Sequence, residues 1–345
     1  MTLRVVALLA MALLATPLAA VPLWSVQHPD RPGTILLLGS VHMLRASDHP
    51  LPAVVRAAYR EADRIVMELR PEELGPEESL AALERVGVVS QGNAAAEALS
   101  PEEWRRAEAL ADAAGLDLDW IAPLEPWFAA LTLHSGALAT AGYEPALGVD
   151  LQVEAWARED RKPVTALETL DQQLLMFKEL DASLQREVLI KTLEELETMG
   201  SDTAELVADW RRGDIAALAA RIETDFRDYE ALRDRLVAER NRTWLAAIEN
   251  LLDEPGTSLV VVGALHLVGP DGVPSMLAAH VPGIQISIIS KSSLPAPQSG
   301  QRQLSGTSSH RVPGAIPPSG SPAASSYTYP QITHIQAFID DPPRR

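Results

Sequence analysis

The sequence predicts a mixed α/β fold, in which a central β-sheet carries large helical insertions. Short apolar segments bounded by Pro or Gly recur along the chain and have the length of buried strands. Two long stretches, 77–140 and 171–252, are rich in Ala, Leu, Glu and Arg with helical spacing. Of the 345 residues 47% are hydrophobic and 22% are charged, which is typical of a globular chain with a core.

The first elements are predicted in chain order. Strands over 23–27 and 34–38 flank the turn sequence His-Pro-Asp-Arg-Pro-Gly, which indicates a hairpin that ends near Gly33. A helix over 51–62 and a short strand over 64–67 follow. Further buried strands are predicted at 163–167, 258–262 and 284–289.

The two ends of the chain differ from its middle. Arg4, an apolar run over 5–15 and small residues up to Ala20 predict a secretory signal over 1–20. The alternative, an uncleaved anchor, is disfavoured because a membrane span needs about 20 apolar residues. We therefore expect export to a bacterial periplasm and no stable membrane span after cleavage. The Pro- and Ser-rich segment 291–345 predicts a disordered tail, which leaves one folded domain over 21–290.

Charge and cysteine content exclude several classes of protein. The chain has 29 basic and 47 acidic residues and a net charge of −18, so nucleic acid is not an expected partner. It has no cysteine, which excludes disulfides, thiolate metal sites and a cysteine nucleophile. The sequence also lacks His-Glu-x-x-His, Gly-x-Ser-x-Gly, Gly-x-Gly-x-x-Gly and the Gly-Lys phosphate loop.

One phrase occurs twice in the chain. The apolar run that ends in Gly39 continues to His42, and the run that ends in Gly263 continues to His266, each as Gly-x-x-His. We expect each glycine to let the chain turn sharply after its strand. Ligands of open α/β sheets bind at the carboxyl ends of the strands, and this edge is where both imidazoles are predicted to lie. A single histidine after a strand more often has a structural role, so the duplication is what favours a functional site.

Two glutamates are predicted at the same edge. Glu68 follows the strand over 64–67, and Glu168 follows the strand over 163–167. If the four strands are parallel neighbours, two histidines and two glutamates converge. Such a set suits Mn, Co, Zn or Fe(II), and a carboxylate beside a bound water is a natural general base. The alternative is that strand-end glutamates are simply solvated.

Six phrases between residues 24 and 289 resemble one known family in their order and spacing. These phrases are Gly39-Ser-Val-His42, Asp63-Arg-Ile-Val-Met-Glu68, Gly148-Val-Asp150, Leu167-Glu168-Thr169 with Gln173, Glu239-Arg240-Asn241, and Gly263-Ala-Leu-His266 continuing to Gly272. The chain is similar to the TraB/GumN family, which is related to the Tiki metalloproteases and to the pheromone-shutdown protein PrgY. Ser40 stands where Thr is usual in that family.

The resemblance implies a fold similar to the erythromycin esterase and ChaN group. In Tiki-like members the paired Gly-x-x-His motifs and a strand-end glutamate support metal-dependent peptide hydrolysis. By position, the resemblance implies that His42, Glu68 and His266 bind a divalent metal such as Mn, Co or Zn. Glu68, Glu168 and Arg240 are the corresponding catalytic candidates.

Three matched residues have more than one interpretation. Arg240 could hold Glu68 or Glu168 ionised, could clamp a substrate carbonyl or oxyanion, or could form an ordinary surface salt bridge. Asn241 and Asp150 are candidate substrate-binding residues. For Asp150 we favour the simpler expectation that it caps a helix over 151–159.

The leading hypothesis is an exported metal-dependent hydrolase that cleaves peptide or amide bonds. A second hypothesis is a periplasmic binding protein without catalysis, which sequesters a peptide, haem or another small ligand. The third is a metal-free, esterase-like hydrolase that uses His42 as base with Glu68 orienting it. All three take a peptide or small molecule as partner.

Overall fold

The structure is a computed structural model that describes residues 21–289, except residues 75, 87–91, 93, 114, 117 and 120. The predicted signal sequence over 1–20 and the predicted tail over 291–345 lie outside the described residues. Both therefore stay predictions, as does the division of the chain that they imply. The predicted mixed α/β fold is confirmed.

One mixed sheet organises the described residues. Its strand order is β4-β3-β5-β2-β1-β6, and β2, β5, β3 and β4 run parallel to one another. The predicted hairpin is present, because β1 pairs antiparallel with β2, and β6 adds antiparallel to β1. The strands are β1 (Leu23–Gln27), β2 (Gly33–Ser40), β3 (Arg64–Met67), β4 (Val164–Ala166), β5 (Gly256–Gly263) and β6 (Gln285–Ile288).

Helices supply most of the remaining structure. The connection from β3 to β4 contains α2 to α6, and the connection from β4 to β5 contains α7 to α12, which matches the two predicted helical regions. The helices are α1 (Ala53–Glu61), α2 (Pro76–Val86), α3 (Ala94–Glu97), α4 (Pro101–Ala113), α5 (Pro126–Thr140), α6 (Val149–Asp160), α7 (Leu170–Lys178), α8 (Ala182–Glu195), α9 (Met199–Arg212), α10 (Ile215–Asp225), α11 (Glu230–Arg233), α12 (Glu239–Asn250) and α13 (Val273–His280). None of the described helices is both long and apolar enough to cross a membrane.

The central strands are buried on both faces, which explains their continuous apolar sequences. Successive side chains of a strand point to opposite faces. In β2, Leu36 and Leu38 enter one apolar cluster with α1, α5 and α6, whereas Ile35 and Leu37 enter a second cluster with α12 and α13. Two helical layers therefore enclose β2, β5 and β3, and only the strand ends remain free to carry polar groups.

Two details of the predicted strands are wrong. The strands predicted at 163–167 and 284–289 form, but they are the two edges of the sheet. Unlike β2 and β5, β4 is only partly buried and β6 is mostly exposed. Gly39 and Gly263 do not turn the chain, because both lie within strands and neither has a positive φ. Instead, Gly39 allows close packing, since a Cβ there would lie 3.0 Å from Ala264 Cα.

Candidate functional site

The candidate site lies at the carboxyl edge of the four parallel strands. Glu68 comes directly after β3. His42 and Glu168 each come two residues after the end of their strand, β2 and β4 respectively. His266 lies in a 3-10 turn, Ala264–Leu267, that follows β5. Since β3, β5 and β2 are neighbours, the predicted convergence of these side chains at one edge is present.

Arg240 stands at the centre of the group and uses all five of its N–H donors. Nη2 donates to Glu68 Oε2 and to Glu168 Oε1, each at 2.6 Å, and Nε donates to Glu168 Oε2 at 3.2 Å. Nη1 donates to His266 Nε2 at 3.0 Å and to the carbonyl of Leu236 at 3.4 Å. A guanidinium has five donors and no acceptor. No N–H of Arg240 is therefore left to clamp a substrate carbonyl, although its charge is fixed within the site.

The neighbourhood of Arg240 explains its fixed position. Its side chain is only 13% exposed, and its guanidinium carbon lies 4.7 Å from the ring centre of Trp244, one turn further along α12. A π-helical segment, Asp234–Ala238, leads directly into α12. Such segments often occur at functional sites, where they re-aim the following side chains.

Glu68 is held in its charged form. Desolvation opposes ionisation, but the charge of Arg240, helped by His266 and His42, lowers the pKa of Glu68 to about 2. The backbone N–H of Gly263 also donates to Glu68 Oε1 at 2.6 Å. Glu68 is therefore a carboxylate at any physiological pH.

Glu168 has the opposite tendency. Burial raises the pKa of this carboxyl, and the hydrogen bond and charge of Arg240 offset only part of that effect. Gln173 Nε2 donates to Glu168 Oε1 at 3.1 Å, and Trp244 Nε1 donates to Oε2 at 3.2 Å. The two glutamates share one arginine, yet their pKa values move in opposite directions.

The second histidine of the repeated phrase is neutral. Because Arg240 only donates, His266 Nε2 must be an acceptor, and Nδ1 therefore carries the proton that it donates to Asn241 Oδ1 at 2.8 Å. Burial, together with the nearby positive charge of Arg240, lowers the pKa of His266 to about 3. Asn241 is fully buried, and its Nδ2 donates to the carbonyls of His266 and Asp271. Asn241 thus orients His266 and has no surface for the substrate contact that the sequence predicted.

The first histidine of the repeated phrase is at the mouth of the site. The His42 side chain is 51% exposed, and its Nδ1 lies 3.3 Å from Asp150 Oδ1. Desolvation opposes protonation, but the carboxylates of Asp150 and Glu68 raise the pKa of His42 to about 9. Water screens part of this attraction, because half of the ring is exposed. His42 is therefore the solvent-facing acid–base group of the cluster.

Asp150 does not cap a helix as expected. The cap position of α6 is Gly148, and Asp150 lies inside the first turn, from which its side chain reaches His42. The N–H of Val149 donates to the carbonyl of Val41 at 3.0 Å, which ties the start of α6 to the loop after β2. A Cβ at position 148 would lie 2.1 Å from the carbonyl oxygen of His42, so only glycine permits this approach.

Gly263 lies between the exposed and the buried parts of the site. A Cβ at Gly263 would lie 3.3 Å from His42 Nε2 and 3.4 Å from Glu68 Oε1. Because residue 263 has no side chain, His42 Nε2 and Glu68 Oε1 lie close to each other beside it.

Trp244 is a site residue that the sequence indicates only weakly. It packs against the His266 ring with centroids 4.7 Å apart and bonds Glu168. Its place four residues after Arg240 on a helix was the available indication, because residues i and i+4 share a face.

A model of the TraB/PrgY/gumN family matches residues 22–285 of the chain. The chain belongs to the TraB/PrgY/gumN family. Curated relatives include the proteins called "Uncharacterized protein YbaP" from Escherichia coli strain K12 and from Shigella flexneri. Each is 26% identical over 243 residues, which cover 70% of this chain and 86% of the relative. No solved structure matches the chain.

The metal implied by resemblance to Tiki-like relatives of the TraB/PrgY/gumN family does not fit the present arrangement of donors. His266 Nε2 and Glu68 Oε2 both accept hydrogen bonds from Arg240. That leaves His42 Nε2 and Glu68 Oε1, which lie close to each other, whereas catalytic zinc sites use three protein ligands. No group of three His, Asp or Glu side chains within the described residues is arranged to hold a metal ion. Metal binding by His42, Glu68 and His266 stays a prediction.

Proposed function

We propose that this protein is a hydrolase of peptide or other amide bonds, with His42 as its proton-transfer group. One observation carries the proposal: His42, paired with Asp150, is half exposed to solvent and lies close to the ionised carboxylate of Glu68. An exposed imidazole held by a carboxylate is a common general acid–base arrangement in hydrolases.

His42 suits the cleavage of an amide bond because an amine leaves poorly without a proton. With its pKa raised to about 9, His42 carries a proton at neutral pH and can donate it from Nε2 to the departing nitrogen. Asp150 holds the charged ring in place through Nδ1. The proton returns to His42 from the water that attacks the carbonyl.

Glu68 has the complementary task in the proposed reaction. Its Oε1 accepts a hydrogen bond from the attacking water and so orients the oxygen lone pair toward the carbonyl carbon. The carboxylate stays ionised because Arg240 holds its other oxygen. His266 and Glu168 hold Arg240 in turn, Asn241 orients His266, and none of the three contacts the substrate.

The test is an assay of the mature chain, residues 21–345, against a library of peptides and small amides, with products detected by mass spectrometry. Wild type and His42→Ala are compared with His280→Ala, which alters an exposed histidine outside the site. We expect cleavage by wild type and His280→Ala, and cleavage at least about a hundredfold slower by His42→Ala. Ligand binding without any product would instead support the sequestering-protein hypothesis, and equal cleavage by His42→Ala would reject the proposed role.

The metal-dependent form of the hydrolase is kept as a second candidate for one reason. Both histidines have Nδ1 beside a side-chain oxygen, and metal-ligating histidines usually have such a partner on the other ring nitrogen. Exhaustive chelation separates the two candidates. Cleavage that survives chelation supports the metal-free reaction, whereas cleavage that is lost and then restored by Mn, Co or Zn supports the metal-dependent one.

Export is part of the proposal and rests on the sequence of residues 1–20. Expression of the full chain in a Gram-negative host should give a periplasmic product that begins at Val21. N-terminal sequencing of that product tests the cleavage site. A full-length cytoplasmic product would contradict export and would leave the proposed chemistry untouched.

A further inference from the structure

The guanidinium of Arg240 is surrounded by the kinds of atoms that a divalent metal ion binds. An imidazole nitrogen of His266 and carboxylate oxygens of Glu68 and Glu168 all lie 2.6 to 3.2 Å from its nitrogens. Imidazole and carboxylate form the donor set expected of Zn, Mn or Co sites. The cation inside this set is supplied by the chain itself.

A metal ion and the guanidinium cannot share these donors. Metal–nitrogen and metal–oxygen bonds are about 2.0–2.2 Å long. An ion bound to the lone pair of His266 Nε2 would overlap Arg240 Nη1, which lies 3.0 Å from that nitrogen along the same lone pair. Both carry positive charge, and the site is buried, so repulsion adds to the steric conflict.

We propose that Arg240 is a built-in replacement for a divalent metal ion in this chain, so that its removal creates a metal site from His266, Glu68 and Glu168. The inference concerns the site of the proposed hydrolase, but its test measures metal binding and not turnover. Failure of either proposal is therefore distinguishable from failure of the other.

The charges of the cluster support this exchange. Arg240 offsets the buried carboxylates of Glu68 and Glu168, while His266 is neutral with an available lone pair once Nη1 is removed. Without the guanidinium, Glu68 and Glu168 would lie buried without a counter-charge beside a ligating nitrogen. In this structure the described side chains are not arranged to hold an ion, because these three surround the guanidinium, so binding requires them to close in on the space that Arg240 leaves. Such a set gains a counter-charge by binding a divalent cation.

The experiment is a titration of the full mature chain with Co²⁺ and Mn²⁺, followed by calorimetry and by the visible absorption of protein-bound Co²⁺. Wild type, Arg240→Ala, His266→Gln and the double variant Arg240→Ala/His266→Gln are compared. The matched control is Arg235→Ala, because Arg235 also pairs with two glutamates, Glu179 and Glu239, but outside the cluster.

We expect Arg240→Ala to bind one equivalent of Co²⁺ at least tenfold more tightly than wild type or Arg235→Ala. The double variant should lose that gain, because it lacks the imidazole ligand. Two results would overturn the proposal: one equivalent of metal bound by wild type and lost in His266→Gln, or a folded Arg240→Ala that binds no better than Arg235→Ala.

Loss of a buried charge can prevent folding, so a milder variant and a second measurement are included. Arg240→Gln retains hydrogen-bond donors and removes the charge. Thermal unfolding of both Arg240 variants is recorded with and without Co²⁺, since an ion that binds only the folded state raises the Tm. The proposal requires a Co²⁺-dependent rise in Tm for at least one of these variants, and none for Arg235→Ala.

Discussion

The two Gly-x-x-His phrases have the same sequence pattern and adjacent strands, yet they carry histidines with opposite properties. His42 is 51% exposed beside the carboxylate of Asp150, and its pKa is raised to about 9. His266 is 6% exposed between the neutral amide of Asn241 and the cation of Arg240, and its pKa is lowered to about 3. One repeated phrase therefore gives one charged and one neutral imidazole.

This difference shows that the neighbouring side chains determine the pKa and the charge of each histidine. The phrase itself only delivers an imidazole to the carboxyl edge of the sheet. Helix α6 brings an acid to the first ring, and α12 brings an amide and a guanidinium to the second. Those helices are the basis of the acid–base role that we propose for His42 and the orienting role that we propose for His266.

The largest effect is expected from removal of the exposed histidine. His42→Ala should lower kcat by about 10²–10⁴-fold, since that is the usual contribution of a positioned general acid–base group. His266→Gln keeps an acceptor for Arg240 and should lower kcat by a smaller factor. Steady-state kinetics on the cleaved peptide checks this order. A greater loss in His266→Gln would mean that the two roles are reversed.

The second largest effect is expected in the pH dependence of the free energy of unfolding, to which His42 and His266 should contribute with opposite signs. Because the pKa of His266 is below its ordinary value, the unfolded chain takes up a proton that the folded chain refuses, so stability falls as pH drops from about 6.5 toward 3. The pKa of His42 is raised, so its contribution is present below about 6.5 and is lost as pH rises toward 9. Each proton changes the free energy of unfolding by at most about 1.4 kcal/mol per pH unit.

Urea unfolding across pH 4–9 measures these slopes. His266→Gln should flatten the acid side of the curve relative to wild type, and His42→Gln should flatten the alkaline side. The His42 effect should be the smaller of the two, because water screens its exposed ring. Parallel curves for wild type and both variants would contradict the assigned environments.

A carboxylate in place of the amide of Asn241 should raise the pKa of the buried His266, as Asp150 does for the exposed His42. Asn241→Asp places a carboxylate beside His266 Nδ1 and should raise the pKa of that ring. The protonated ring can no longer accept from Arg240, so we expect a loss of about 1–3 kcal/mol in the free energy of unfolding near neutral pH. NMR titration of the His266 ring protons checks the pKa, and Asn250→Asp, at the end of α12, is the control.

The smallest effect is expected from the converse change at the exposed ring. Asp150→Asn removes the charge that raises the pKa of His42, so the alkaline fall of activity should move from about pH 9 to lower pH. The decrease in kcat at pH 6 should be modest, because His42 remains protonated there. An unchanged alkaline limb in the pH–rate profile would show that Asp150 does not control this proton.

Most of the framework could be predicted from short-range pattern. The hairpin, the strands and the helical regions follow from apolar runs and turn residues, since local periodicity reflects which face of an element is buried. The convergence of His42, Glu68 and His266 was also predictable, because parallel strands bring their carboxyl ends to one edge. The reason for Gly39 and Gly263 could not be predicted, because the close approach that a glycine allows depends on which segment of the chain lies beside it.

The sequence by itself determined which reactive groups reach the carboxyl edge of the sheet. Only the tertiary structure decided their states. Asp150 lies 108 residues beyond His42 in the chain and was expected to cap a helix, while Arg240 comes from a helix near the opposite end. A pKa and a ligand's availability depend on charges within a few ångströms and on burial, and neither quantity is encoded in local sequence pattern.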